Sequence, residues 1–372
     1  MIDSLQFRMF AHSWVSDWNH GNAHFLRGLA RELGELGNGV RCYEELGSWS
    51  LSNLVSQEGE RAIDAIDQFR AKFSMLDVRF YDRNNRFDEF LDEELREADI
   101  VVIHEWNDPA VVSAILARKS QFGFRALFHD THHRAYTRAG EILGFPLHLF
   151  DGVLAFGEPI TRIYRDGFGI SNVWTFHEAA DVQNFHPMES EQTTDVLWVG
   201  NWGDEERTQE LKEFLVEPAA AMRERDFKVY GVRYPDAGVK ALLEAGIEYH
   251  GYLPNLCAPE AFSKTRIALH VPRREYANGL AGIPTIRVFE ALACGVPLVC
   301  APWEDVENLF HPGKDYVVVK DGKAMTAELN HLLGDDAARR QLGENGMRTV
   351  LARHTCTHRA QQLEEICKEI VQ

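Results

Sequence analysis

The chain has 372 residues, is 45% hydrophobic and carries 57 acidic against 39 basic residues, for a net charge of -18. That length and apolar content predict a protein of two domains, each with its own core. The acidity excludes bulk binding to nucleic acid or to an anionic membrane surface, so any phosphate ligand has to be held by local basic groups and backbone N–H groups.

The first half alternates strand and helix signals. Gln6–Phe10 reads as a strand, and 22–35 as a helix with Phe25, Leu29, Leu33 and Leu36 on one face. A strand follows at 40–43, a long polar helix at 58–72, a strand at Asp77–Tyr81 and a helix at 87–97. Then come a strand at Ile100–His104, a helix at 109–120, and strands at 124–129, 151–156 and 171–176. Strands alternating with helices predict a doubly wound parallel sheet. Residues 176–194 break the rhythm. They are polar, hold Pro187, end in E-S-E-Q-T-T, and read as a linker.

The second half restarts the pattern. It has strands at 195–199, 227–231, 247–249 and 266–271, with helices at 206–223 and 259–263. A late strand is expected at 316–319, and the remainder is helical. The six cysteines, Cys42, Cys257, Cys294, Cys300, Cys356 and Cys367, form no C-x-x-C pair, and several lie in apolar runs where a reduced cysteine acts as a small core residue. The opening residues lack a basic stretch followed by an apolar core, and no apolar run approaches membrane-spanning length. A cytoplasmic location without a membrane span is the expectation. Neither internal repeats nor low-complexity segments occur.

Ligands of open α/β sheets bind beyond the carboxyl ends of the strands, and the unusual residues of this chain fall there. After the first strand come His12, Trp14, Trp18, His20, Gly21, Asn22 and His24, with H-G-N-A-H opening a helix as a phosphate or sugar contact. Later strand ends carry His104-Glu105-Trp106 and then His129-Asp130-Thr131-His132-His133. Three histidines and an aspartate in five residues suit a metal site, and equally a polar, hydrogen-bonded loop. In the second half, Val199-Gly200-Asn201-Trp202 ends a strand and Arg207 opens a helix. Arg273 and Arg274 follow the strand at 266–271, and at least one of them is expected to face a ligand.

The most organised stretch is 279–302, G-L-A-G-I-P-T-I-R-V-F-E-A-L-A-C-G-V-P-L-V-C-A-P. Pro284 suits the first helical position and Gly295 a left-handed cap. Between them Ile286, Phe289 and Ala293 share one side, and an apolar run at 296–301 reads as a strand. A Gly-rich loop thus feeds a helix N-terminus, an anion site by construction. Glu290 lies nearly two turns in. Three residues from Arg287, it reads on helix geometry alone as half of a surface pair.

The words around it resemble a known family. F-E-A-L-A-C-G-V-P-L-V resembles the nucleotide-sugar helix of glycosyltransferases of the GT-B fold, and 282–297 is most similar to the CgeB-like (spore-maturation-type) members. W-x-x-G-N-A-H at 18–24, H-E-A-A-D-V-Q-N-F-H-P before the second half and R-H-T-C-T-H-R-A near the end resemble further segments of that family. The resemblance is strongest over 265–302, moderate over 14–49 and thin between.

It implies an α/β fold of GT-B type: two doubly wound Rossmann-like domains facing a cleft, with a C-terminal helix crossing back. An N-terminal acceptor domain (1–178, plus 355–372) and a C-terminal nucleotide-sugar donor domain (179–354) follow from it. So does transfer of a sugar from a UDP-, GDP-, ADP- or TDP-linked donor to a glycan, small-molecule or protein acceptor. On the donor side the resemblance implies that Glu290 holds the ribose hydroxyls, that Thr285, Arg287, Arg207, Arg273 and Arg274 meet the diphosphate, that Asn255 meets the base, and that Gly282 and Gly21 assist. His132, then His129, match a histidine set against the transferred sugar. His24, Trp18 and His104 fall on the acceptor side. Many retaining relatives carry a second glutamate eight residues before the first. Here that position is Gly282, and Glu275 lies upstream on the same loop.

No D-x-D string stands near a strand end, and magnesium and manganese prefer oxygen ligands. No metal cofactor is therefore expected. No carboxylate base pair stands out either, which suits a retaining mechanism. The competing readings are a nucleotide-sugar epimerase of related fold, a metal-dependent hydrolase built on His104 and residues 129–133, and an inactive scaffold that binds a nucleotide or glycan.

Overall fold

The computed structural model describes residues 4–371. Residues 1–3 and 372, on which the outer limits of the expected first domain and part of the leader reading fall, lie outside the described residues. Two compact units divide the chain. One runs to Glu178 and resumes at Cys356; the other is Ala179–Thr355.

The first unit holds seven strands: β1 (Gln6–Phe10), β2 (Gly39–Glu45), β3 (Asp77–Tyr81), β4 (Ile100–His104), β5 (Arg125–Asp130), β6 (Gly152–Ala155) and β7 (Val173–Thr175). Their order is β3-β2-β1-β4-β5-β6-β7, and every pairing is parallel. All five residues of Ile-Val-Val-Ile-His in β4 are buried, which is why that strand reads as a continuous apolar run and not an alternating one. The order reverses between β1 and β4, where Phe7 pairs with Ile100 and Phe10 with Ile103. The loops after those two strands flank the crevice in which such sheets bind ligands.

The helix Ala23–Glu35 buries Phe25, Leu26, Leu29 and Leu33. The last helix, Cys356–Val371, returns from the second unit to lie on it. Thr357 Oγ1 donates to Glu32 Oε2 at 2.7 Å, Asn38 Nδ2 to Glu364 Oε1 at 3.2 Å, and Gln362 Nε2 to the Thr175 carbonyl at 2.9 Å. The polar helix expected at 58–72 is Arg61–Lys72, and a further helix before it, Trp49–Glu58, has no counterpart in the sequence reading. Gly59 separates them at φ +56°, a left-handed conformation that a glycine takes without steric cost. Ser48 caps the earlier one by accepting from the Leu51 N–H at 3.4 Å.

The second unit repeats the plan with β8 (Thr194–Val199), β9 (Phe227–Tyr230), β10 (Glu248–Tyr249), β11 (Thr265–His270), β12 (Leu298–Cys300) and β13 (Val317–Val318), in the order β10-β9-β8-β11-β12-β13. All pairings are again parallel. Its core joins Val196, Trp198, Phe214, Val229, Ile267 and Leu269. The helix expected at 206–223 is a run over 208–221 with a wide turn at Lys212–Val216, where the Glu217 N–H reaches the Lys212 carbonyl. Pro218 explains the widening, because it has no N–H for the carbonyl four residues back and its ring needs room there. A helix at Asp236–Glu244 has no counterpart in the sequence reading.

The helix Ile286–Ala293 closes with paired bonds. The Gly295 N–H donates to the Leu292 carbonyl at 3.0 Å and the Val296 N–H to that of Ala291 at 3.1 Å, with Gly295 at φ +70°. This is the Schellman arrangement that a glycine cap permits. Gly343, on the helix Asp336–Arg353, sits on this cap so closely that a Cβ there would lie 2.1 Å from the Gly295 carbonyl oxygen. Among the described residues no helix is long and apolar enough to cross a membrane.

Candidate active site

In the second unit the candidate residues gather where β8 and β11 reverse the strand order. Arg207 is buried. Its Nη1 donates to the Val271 carbonyl at 3.2 Å, and its Nη2 to the Asn201 carbonyl at 2.8 Å and to Asn201 Oδ1. Its Nε is buried without a partner among the described residues, and the guanidinium carbon lies 5.2 Å from the centre of the Trp198 ring. Burial first, then the charge of Arg273, pull its pKa down to about 9. None of its bonded partners is a carboxylate. Arg207, read in the sequence as opening a helix, stands just before the helix at Thr208 and turns inward.

The other arginines differ from it. Arg273 is ion-paired with Glu206. Arg274 lies at the surface, held by Glu210 at 2.9 and 3.2 Å. Arg274 is therefore part of a surface pair, and Arg207 and Arg273 are the basic groups left at the ends of β8 and β11.

The helix Ile286–Ala293 starts one step later than the sequence suggests. Thr285 is its N-cap and Ile286 its first residue, so Pro284 stands before the cap and not at the first helical position. The Thr285 hydroxyl makes no cap bond. It meets His270 Nε2 at 3.1 Å instead, so no side chain caps the first-turn N–H groups. His270, the last residue of β11, has its Nδ1 buried without a partner among the described residues. Burial and then the Arg207 charge push its pKa down to about 3, so the ring is neutral. Trp303 fixes the incoming loop, its Nε1 donating to the Ile283 carbonyl at 3.1 Å.

Glu290 and Arg287 do form an ion pair, but Glu290 is 0% exposed, which corrects the surface reading. The carboxylate lies inside the unit with its cation beside it. Gly282 has φ +99°, and a Cβ there would fall 2.3 Å from Val306 Cγ2. A glutamate at that position would be strained at this φ and would have to displace the Val306 side chain. Glu275, on the short helix Arg274–Asn278, has a buried Oε2 without a partner among the described residues. Asn255 opens a 3₁₀ turn after β10, the edge strand, two places from β8.

In the first unit the histidines collect beyond β1, β4 and β5. His12 lies 4.0 Å from His20 and 5.4 Å from His104, ring centre to centre, and His104 lies 5.4 Å from His129. His104 Nε2 meets Thr131 Oγ1 at 3.1 Å. His129 stands edge-on to Phe25 and Phe176. Burial pushes the pKa of His12 down to about 4 and of His129 to about 3, and lowers His20 and His104 strongly.

The 129–133 loop is tied together internally. Asp130 accepts from Tyr164 Oη at 2.6 Å and from the His132 N–H at 2.9 Å. His133 Nδ1 meets Thr137 Oγ1 at 2.9 Å. Glu105 accepts from Arg134 Nε at 3.0 Å and Nη2 at 2.8 Å. Burial raises both the Glu105 and the Asp130 carboxyls. His132 is the partly exposed member, set against Trp106 and His133. Within this unit His104 and residues 129–133 do not bring three ligand atoms within 4.8 Å of one another, so the hydrolase reading lacks its geometry. Trp18 is sealed beneath Trp49 and donates Nε1 to Gln57 Oε1 at 3.1 Å; it braces the loop and offers no open face. His24 is buried on the first helix, and Gly21 lies in the turn that leads into it.

The neutral histidines make stability depend on acid. Their folded pKa lies below the ordinary 6.5, so the unfolded chain takes up protons first as pH falls. Stability is full above about pH 6.5 and drops from there toward pH 4 or 3. At pH 5 each histidine still held neutral costs about 2 kcal/mol. Urea titrations at pH 7 and pH 5 should therefore differ, and His129→Phe should narrow the difference. An unchanged gap in that variant counts against a buried neutral His129.

The fold these units build is that of the GT-B glycosyltransferases. Sucrose-phosphate synthase from Thermosynechococcus elongatus superposes with a TM-score of 0.67 at 14% identity, over 98% of this chain and 99% of that one. Anabaena HepE, solved with UDP and glucose, gives 0.69 at 12% over 98% and 99%. T4 phage BGT, solved with its UDP-glucose substrate, gives 0.62 at 14% over 99% of each chain. Residues 207–365 match the model of a family described as glycosyl transferase-like. No curated protein matches the sequence. The second half of the chain is thus similar to a glycosyltransferase-like family, and the fold is one that glycosyltransferases share.

The sequence reading passed over His270 and Asn201 as site residues. A histidine closing an apolar strand, L-H-V-P, was the available signal for the first. Nothing in the sequence marks Asn201 beyond its place after β8.

Proposed function

We propose that the chain transfers a sugar from a nucleoside-diphosphate sugar to an acceptor, as a CgeB-like glycosyltransferase of the cytoplasm. The second unit binds the donor and the first unit the acceptor. The observation that carries this reading is Arg207, a buried guanidinium bonded only to carbonyl oxygens, with a buried Nε still to be satisfied. A diphosphate supplies the missing anion, and the uncapped start of the helix at Ile286 adds about half a positive charge to the same end of the sheet. Thr285, Arg273 and Arg287 lie along that end, and Asn255 is assigned to the base. Uridine is the proposed base, because HepE and T4 BGT were solved with UDP or UDP-glucose.

Calorimetric titration with UDP, GDP, ADP and TDP tests this directly: one should bind with a defined stoichiometry, and binding of none sinks the reading. Glu290 is assigned to the ribose hydroxyls. Charged hydrogen bonds contribute roughly 1.5–3 kcal/mol each, so Glu290→Gln should weaken the selected nucleotide by about tenfold or more. An unchanged affinity would make Glu290 a structural partner of Arg287 without a role in nucleotide binding.

The reaction is proposed to be retaining and independent of metal. Glu105 and Asp130, the buried carboxylates beyond β4 and β5, are both engaged by hydrogen bonds, which supports the first point. The fixed positive groups around Arg207 support the second, since they meet the growing charge of the leaving diphosphate without an ion. Turnover should survive exhaustive EDTA treatment. Loss in EDTA, restored by manganese or magnesium, would overturn the metal-free account. Requirement for an acceptor separates transfer from epimerisation, which consumes the donor alone.

A further inference from the structure

We infer that Trp106 is the stacking platform for a neutral sugar residue of the acceptor, which makes the acceptor a glycan; this rests on the glycosyltransferase reading. Trp106 follows β4, beside the point where the strand order of the first unit reverses. It is 43% exposed, a large aromatic surface to leave in water. Its ring is nevertheless held in place. The Arg134 guanidinium lies 3.9 Å from the ring centre, and His132 meets it nearly edge-on at 5.3 Å and 72°. Arg134 is itself fixed, because Glu105 takes its Nε and Nη2, and the Glu105 carbonyl takes Nη2 again at 2.7 Å. The indole is therefore an ordered surface with one face backed and the rest open.

The neighbourhood specifies what the open surface takes. The Arg134 guanidinium is ion-paired with the buried Glu105 carboxylate, and burial lowers the pKa of His12, His20, His104 and His129. A cation is disfavoured, since the ring already carries one on its other face. An anion has no uncommitted positive partner here. What the histidines do offer is hydrogen bonding: His12 Nδ1, both ring nitrogens of His20, and His129 Nε2 are buried without partners among the described residues. A neutral imidazole has one donor and one acceptor nitrogen. Hydroxyl groups, which both donate and accept, are the matching chemistry. A pyranose combines that hydroxyl rim with an apolar C–H face that lies flat on an aromatic ring, and the indole body supplies such an area. The contiguity runs through His104: the Trp106 N–H donates to its Nδ1 at 3.4 Å, and His12 and His129 each lie 5.4 Å from it, ring centre to centre.

The test is an array of neutral, acidic and phosphorylated glycans probed with the wild-type chain, Trp106→Ala and Trp106→Phe, alongside UDP titration of each. Wild type should select neutral glycans. Trp106→Ala should bind the selected glycan at least tenfold more weakly, Trp106→Phe within about threefold of wild type, and UDP equally in all three. Selection of charged glycans only, selection of none, or full binding by the alanine variant overturns the inference. So does a Trp106→Ala variant that loses a UDP-sugar but keeps UDP, since the ring would then touch the transferred sugar. If wild type ignores every nucleotide yet selects a neutral glycan, the donor reading fails and the platform stands. Should Trp106→Ala unfold, saturation-transfer NMR on wild type decides, with the sugar C–H protons of the selected glycan saturated most strongly.

Discussion

Replacing Arg207 with methionine is expected to weaken binding of the nucleoside diphosphate by at least about 100-fold. Two charge-assisted hydrogen bonds at roughly 1.5–3 kcal/mol each are enough for that loss. Methionine fills the aliphatic volume and removes the charge, so the effect reports the guanidinium. Arg207→Lys should recover only part of the affinity, because a point charge does not reproduce a planar fork. In the ligand-free protein this cation is held by amide carbonyl oxygens and has no carboxylate partner. Its pKa is held down to about 9 by burial, below the 12.5 of an ordinary arginine, so the charge opposes folding at neutral pH and is relieved as pH rises from about 9 toward 12.5. A nucleotide at 100 times its wild-type dissociation constant should stabilise wild type by about 2.7 kcal/mol and Arg207→Met by no more than about 0.4 kcal/mol. Binding by Arg207→Met within threefold of wild type would show that the guanidinium serves the fold alone.

His132→Ala is expected to cut turnover by about 100-fold while nucleotide affinity stays within twofold. A donor or acceptor used only in the transition state contributes on that scale. His132 is the member of its loop in a position to do this. Its N–H is locked by Asp130, which Tyr164 locks in turn, and its ring is partly exposed against Trp106. His129 is enclosed between two phenylalanines, and His133 is tied to Thr137. Equal loss of turnover and nucleotide binding in His132→Ala would move the residue to the diphosphate pocket or to the structural core.

Much of the sheet plan was legible because parallel strands buried on both faces leave continuous apolar runs. Ile100–His104 and Thr265–His270 are visible in the sequence for that reason. The glycine cap at Gly295 was equally legible, since a left-handed residue after an apolar helix leaves few choices. Other helix features were not. The helix before Gly59 buries only Ser50 and Leu54 and so shows a weak apolar face, and Pro218 widens its helix where a proline would ordinarily end one. In the site, the sequence showed which residues follow strand ends but not which way they turn. Arg207, Arg273 and Arg274 look alike as letters. Burial leaves the first without an acid, while Glu206 and Glu210 claim the other two. The position of Gly282 was visible as a departure from a family pattern, and its cause, the approach of Val306, was not.

The contact of Gly343 with the cap at Gly295 has a mechanical meaning. Main chain rests on main chain there, and Gly346 brings the same helix close to the Asp315 carbonyl and to the Leu292 side chain. A seam between ordinary side chains gives a little, since rotamers shift and voids redistribute. A seam of bare backbone has no such cushion. The helix that begins at Ile286 is therefore bolted at its far end to Asp336–Arg353, and any displacement imposed at its first turn is carried into that second helix as a rigid rod would carry it.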